Sequence, residues 1–203
     1  MIAWTESPKF KEYLISYVYP TAEWKKKTAE LQPKFSKWSE ETGINITNLY
    51  QLKSLGDTLY IDQLHHVALP KSLRPQDAQE IIAAGQWVLT MAFKSPEMGK
   101  NTGGALLKTI ANYLQRASQQ QTSLKYILLS SHDTTQLSLL SALSAPLSKA
   151  PPYASDLKFS LFDKGQENYY VKISFNGQPV IVPSCNNNIC SLAKFIEVAD
   201  TSM

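Results

Sequence analysis

The order of patterns along this sequence predicts an α/β fold. Two observations carry that reading. Helical periodicity runs from Ser7 to about Phe93; past Pro96 come a helix, a short apolar run, a sharp turn and a second helix, with strand-like segments after them. A chain of 203 residues with 43% hydrophobic content can bury a sizeable core, as one domain or one and a half.

In the helical block, Phe10, Leu14, Tyr17 and Val18 fall on one face. Trp24, Thr28, Leu31, Phe35 and Trp38 fall on another, in a helix ending near Gly43. Ile81, Ala84, Val88 and Ala92 form a third stripe after Arg74-Pro75. Each stripe reads as core and carries no chemistry. Beyond Pro96, Leu107, Ile110, Ala111 and Leu114 mark a helix from Gly103 to Arg116. The run Lys125–Ser130 is short, apolar and flanked by polar residues, so it reads as a buried strand. A helix through Leu137, Leu140 and Leu143 follows. LKFSLFD and NYYVKISF read as strands joined by Lys164-Gly165-Gln166-Glu167, with a third extended piece at Pro179–Val182 and a closing helix at Leu192–Val198.

Charge excludes little but points away from nucleic acid. Twenty basic residues, of which only Arg74 and Arg116 are arginine, face seventeen acids for a net charge of +3, and the lysines are scattered rather than striped. No apolar stretch is long enough to span a bilayer, and the opening residues MIAWTESPKF lack the pattern of a signal peptide. Cys185 and Cys190 lie close together, with no other cysteine and no nearby histidine to complete a metal site. A short-loop disulfide is preferred over free thiols, and would indicate an oxidising compartment. Asn45-Ile46-Thr47 fits a glycosylation pattern too short to carry weight alone.

Chemistry concentrates at His132-Asp133, between the apolar run and the next helix. Open α/β sheets place ligands there, because the strand ends leave a crevice and the helix start points N–H groups into it. Asp133, Thr134 and Thr135 are equally good capping residues, so position alone leaves function and capping level. A protonated Asp133 could deliver a proton to a leaving oxygen, and a cationic His132 could bind phosphate oxygens. Neither can also attack the phosphorus.

The run YILLSSHDTTQLSLLSAL resembles the His-Asp segment of the histidine acid phosphatases. SPKFKEYL, LYQLKSLGDTLYIDQLHHVALP, GGALLKTIANYLQRA, PPYAS at 151–155 and VPSCNNNICSLAKF resemble, in order, the C-terminal portion of the prostatic- and lysosomal-type enzymes and their bacterial relatives. The resemblance implies a phosphoglycerate-mutase-like fold incomplete at its N-terminus, with residues 1–98 as a helical cap region and 99–203 as the C-terminal half of the sheet domain. It implies phosphomonoester hydrolysis through a phosphohistidine, without metal or cofactor, with Asp133 as proton donor and His132 and Thr134 at the phosphate. It further implies a Cys185–Cys190 disulfide, a periplasmic or secreted setting for the intact protein, and small phosphorylated substrates.

The family's attacking histidine lies in an N-terminal Arg-His-Gly-x-Arg motif, whose arginines clamp the phosphoryl group. His65 and His66 have no Arg before them and no Gly after. On an extended segment they would point to opposite faces, unsuited to one metal. Arg74 and Arg116 read as surface residues. The expectation is therefore a chain that begins past the motif, inactive by itself, with uncovered sheet edges that favour association, a homodimer included. The alternative is a non-catalytic remnant or anion-binding module. No Gly-x-Ser-x-Gly elbow supports a serine hydrolase.

Overall fold

In the computed structural model, which describes residues 8–166, 168–185 and 189–202, the helical periodicity becomes α1 (Pro8–Tyr13), a π turn (Leu14–Val18), α2 (Ala22–Leu31), α3 (Phe35–Thr42), α4 (Leu52–Leu64) and α5 (Pro75–Ala92). The chain divides into two compact units, one up to Ala92 and one from Phe93.

The expected single helix through Trp24 and Trp38 is interrupted. Pro33, which cannot continue the α ladder, sits in a 3₁₀ turn over Gln32–Lys34. Trp24, Leu31, Phe35 and Trp38 are nonetheless all buried, and Gly43 closes α3 at φ +74°, as the Gly43 signal implied. Tyr17 is a correction. It is 59% exposed while Phe10, Leu14 and Val18 are buried, because the π turn shifts the angular spacing of this segment away from 3.6 residues per turn.

Pro75 opens α5 at the position where a missing N–H costs least. Asp77, buried in its first turn, receives hydrogen bonds from Arg74 Nε (2.6 Å), Lys37 Nζ (2.6 Å) and Trp38 Nε1 (3.3 Å), tying the start of α5 to α3. Lys34 and Glu80 form a second ion pair between the same regions. The Arg74 and Lys37 hydrogen bonds, against the opposing effect of burial and with help from Trp38, hold the Asp77 carboxyl well below the usual carboxylate range.

The second unit begins with α6 (Pro96–Ser118), capped by Ser95, whose hydroxyl accepts from the Met98 N–H at 3.2 Å. Helix α7 (Asp133–Ala142) runs antiparallel to it at very short range. A Cβ at Gly99 would lie 2.1 Å from the Ala142 nitrogen, and one at Gly103 would lie 2.6 Å from the Ser138 carbonyl oxygen. Strands β1 (Leu157–Asp163) and β2 (Tyr169–Phe175) form the expected hairpin, Leu157 pairing with Phe175 and Asp163 with Tyr169; Glu167, in the connection, lies outside the described residues. Antiparallel β3 (Gln178–Pro179) and β4 (Ile189–Ser191) also pair with β2. The expected extended piece Pro179–Val182 is thus strand only at its first residue. Helix α8 (Leu192–Thr201), capped by Ser191, closes the unit. Val171 and Ile173 of β2 pack with Leu107, Leu139, Leu143, Phe195 and Ala199 in a core shared by α6, α7, α8 and the sheet. The Cys185–Cys190 disulfide is formed and joins the segment after β3 to β4.

The run Lys125–Ser130 departs most from expectation. It is not a buried strand. Tyr126 and Leu128 are each 75% exposed, and among the described residues no backbone–backbone hydrogen bond reaches residues 123–131. A continuous apolar run is the mark of a strand covered on both faces, and among the described residues the four strands pair only with one another. Without neighbours on its edges, the segment has no ladder to join.

Two outcomes follow from this packing. Gly99→Ala should destabilise the chain by about 1–3 kcal/mol through overpacking of two backbones, read as a lower urea midpoint at unchanged slope. Asp77→Asn should lower the melting temperature at pH 5 and pH 7 alike. A depressed folded-state pKa gives stability that is complete above the unfolded carboxyl value of ~3.9 and is lost as pH falls through the folded one. The gap between variant and parent should accordingly narrow only below about pH 4 in a series of thermal melts.

Candidate active site

His132 is the N-cap of α7 in extended conformation (φ −114°, ψ 165°), and Asp133 is its first helical residue. Both side chains are exposed, Thr134 is half-buried and Thr135 is buried. The His132 carbonyl accepts from the Thr135 and Gln136 N–H groups (3.0 and 3.3 Å), and the His132 N–H is 3.5 Å from Thr135 Oγ1, a long contact. Asp133 Oδ1 accepts from the Thr134 N–H at 2.6 Å. Asp133 therefore does cap the helix, with one carboxylate oxygen. Its other oxygen has no protein partner among the described residues, so the capping role leaves one acceptor open for a second task.

The site is held from behind and from one side. Behind it, the glycine contacts with α6 fix the body of α7, and Ser141 Oγ donates to the Ser95 carbonyl at 2.7 Å. At the side, Gln136 Nε2 donates to the Ser155 carbonyl at 2.8 Å, fastening the Pro-Pro-Tyr-Ala-Ser loop to the first turn of α7. Sequence reasoning missed Gln136. Its place three residues after Asp133, on the same helical face, was the available signal.

Of the other residues weighed from sequence, His65, His66 and Arg74 belong to the first unit and Arg116 to the second. His65 and His66 are not on an extended segment. They cap the C-terminus of α4, with His66 at φ 56° and bonds from His66 N–H to Gln63 O and from Val67 N–H to Asp62 O. A left-handed residue satisfies the last carbonyls of that helix, which explains the exposed pair without chemistry. Arg74 is engaged with Asp77 in the first unit. Arg116 is exposed near the far end of α6; with Gly99 beside Ala142 and Gly103 beside Ser138, the register places Leu107 near the first turn of α7 and Arg116 about 13 Å farther along the axis. Within the second unit, Arg116 does not join His132 and Asp133.

Residues 50–176, which include this helix start and the loop fastened to it, match the histidine phosphatase superfamily, branch 2. The chain belongs to that superfamily. It is 30% identical to rat (Rattus norvegicus) prostatic acid phosphatase over 205 aligned positions, covering 96% of the chain and 53% of the relative. It is 28% identical to bovine (Bos taurus) lysosomal acid phosphatase, covering 80% of the chain and 40% of the relative. It is also 25% identical to counting factor 60 of Dictyostelium discoideum, covering 78% of the chain and 42% of the relative. The chain thus spans about half the length of the curated relatives it matches.

Asp133→Ala removes both the acceptor for the Thr134 N–H and the acid in the first turn of α7. It should cost about 0.5–2 kcal/mol of stability at neutral pH, measured by chemical denaturation.

Proposed function

We propose that this chain carries the proton-donor half of an acid phosphatase site that hydrolyses phosphomonoesters. The observation that supports this best is the placing of His132 and Asp133 side by side, exposed, at the start of a helix within the family-matched segment. His132 and Thr134 hold phosphoryl oxygens. Asp133 gives its proton to the leaving-group oxygen as the ester P–O bond breaks. A histidine outside these 203 residues, in an Arg-His-Gly-x-Arg setting, forms the P–N bond. Water then attacks the phosphohistidine, the Asp133 carboxylate takes the water's proton, and inorganic phosphate leaves.

The setting we propose is an oxidising one, periplasmic or secreted for the intact protein. The Cys185–Cys190 bridge and the similarity to lysosomal acid phosphatase support it. Among the described residues, no helix is long and apolar enough to cross a membrane. The bare run 124–129 supports association, either with a second copy or with another strand-bearing polypeptide. The second reading is a non-catalytic anion-binding module, favoured by one observation: the second unit holds no histidine besides His132.

The purified chain should show no turnover of p-nitrophenyl phosphate in acid, while inorganic phosphate moves the His132 ring resonances in NMR titrations. Turnover abolished by Asp133→Ala would exclude the anion-binding module and place the attacking group within these residues. A His132 ring indifferent to phosphate would count against the site itself.

A further inference from the structure

The loop fastened to Gln136 is built more firmly than a connection between a helix and a strand requires. Pro151 and Pro152 fix two backbone dihedrals, and Ala154 adopts a left-handed conformation at φ 58°, uncommon for a residue with a Cβ. Ser155 Oγ donates to the Pro152 carbonyl at 2.6 Å and accepts from Asn176 Nδ2 at 3.3 Å. The Asp156 N–H donates to Asn176 Oδ1 at 2.9 Å, and the Asn176 N–H returns to the Asp156 carbonyl at 2.9 Å. Gln136 ties this framework to α7 through the Ser155 carbonyl, and its Oε1 is buried with no hydrogen-bond partner. A buried acceptor left unpaired and a non-glycine residue held at positive φ are both costs, and such costs gather where a segment must be held in one position.

What the framework presents is Tyr153, 58% exposed at the tip of the loop. Gln136 lies three residues after Asp133 and four after His132, so the loop is attached on the face of α7 that carries both, within about one helical pitch of ~5.4 Å along the axis. An aromatic ring on a braced loop loses little freedom when a flat group stacks on it.

We propose that Tyr153 determines leaving-group specificity, as a fixed platform for the ring of an aryl phosphomonoester, and that Gln136 is the positioning residue that sets this platform beside Asp133. The inference rests on the proposed phosphatase site, since the ester oxygen that Asp133 protonates is the atom from which the leaving group extends. It adds that the group is flat and apolar.

The 203-residue chain titrated by NMR with inorganic phosphate, methyl phosphate and phenyl phosphate separates the two levels. The His132 response to inorganic phosphate reads the site, and the ratio of phenyl to methyl phosphate affinity reads the platform. Phenyl phosphate should bind about threefold to tenfold tighter and move the resonances of residues 151–156. Tyr153→Ala should bring the ratio to about one, Tyr153→Phe should restore it, and Gln136→Leu should lower it. A ratio near one in the parent chain, or one that survives Tyr153→Ala, overturns the inference and leaves the phosphate site standing. A His132 ring that no ligand moves removes the site and the platform together.

Discussion

The backbones of α6 and α7 meet with only glycine hydrogens between them, and the second unit is arranged around that contact. Gly99 and Gly103 lie one helical turn apart, against Ala142 and Ser138 one turn apart in the opposite sense, so the two helices are locked in register as well as in distance. Leucines at these positions would still permit a helix pair, but a wider one. Because α7 cannot slide along α6, the place where its first residue emerges is fixed, and with it the relation of His132 and Asp133 to the sheet and to the loop at 151–156. The core residues Leu107, Leu139 and Phe195 fill in around this arrangement rather than define it.

The start of α7 is less open to anions than its position suggests. Thr134 N–H is taken by the Asp133 carboxylate, and the Thr135 and Gln136 N–H groups by the His132 carbonyl. Only the Asp133 N–H is left without a protein acceptor among the described residues. The proposed phosphate site therefore rests on the His132 ring and the Thr134 hydroxyl more than on a cradle of backbone donors.

Local chemistry explains which parts were legible in the sequence. The stripes at Trp24, Ile81 and Leu107 were readable because burial on a helix repeats every three or four residues, and the hairpin because two strand-like runs flank a glycine-containing turn. The helix start at His132-Asp133 was readable because capping residues stand there before a helical stripe. Lys125–Ser130 misled because periodicity reports what a segment is suited to, whereas a strand exists only when another strand accepts its hydrogen bonds. Tyr17 was misplaced by a π turn that no residue type announces. The Lys37–Asp77 and Gln136–Ser155 bonds were invisible for a related reason: their partners are separated by 40 and 19 residues, and nothing local encodes the pairing.

Helices α4, α6 and α7 end alike, although their sequences share nothing at that point. His66, Gln120 and Ser144 each stand at φ 56°, and the residue after each donates back to a carbonyl five positions earlier, in Asp62, Arg116 and Leu140. Glycine, the usual occupant, is missing from all three. Each of these helices is thus stopped by the same backbone hydrogen bond, made possible by a side-chain-bearing residue held in the left-handed region. In this protein these stops are made without the residue best suited to them, and each corner holds a side chain at a conformational cost that glycine does not carry.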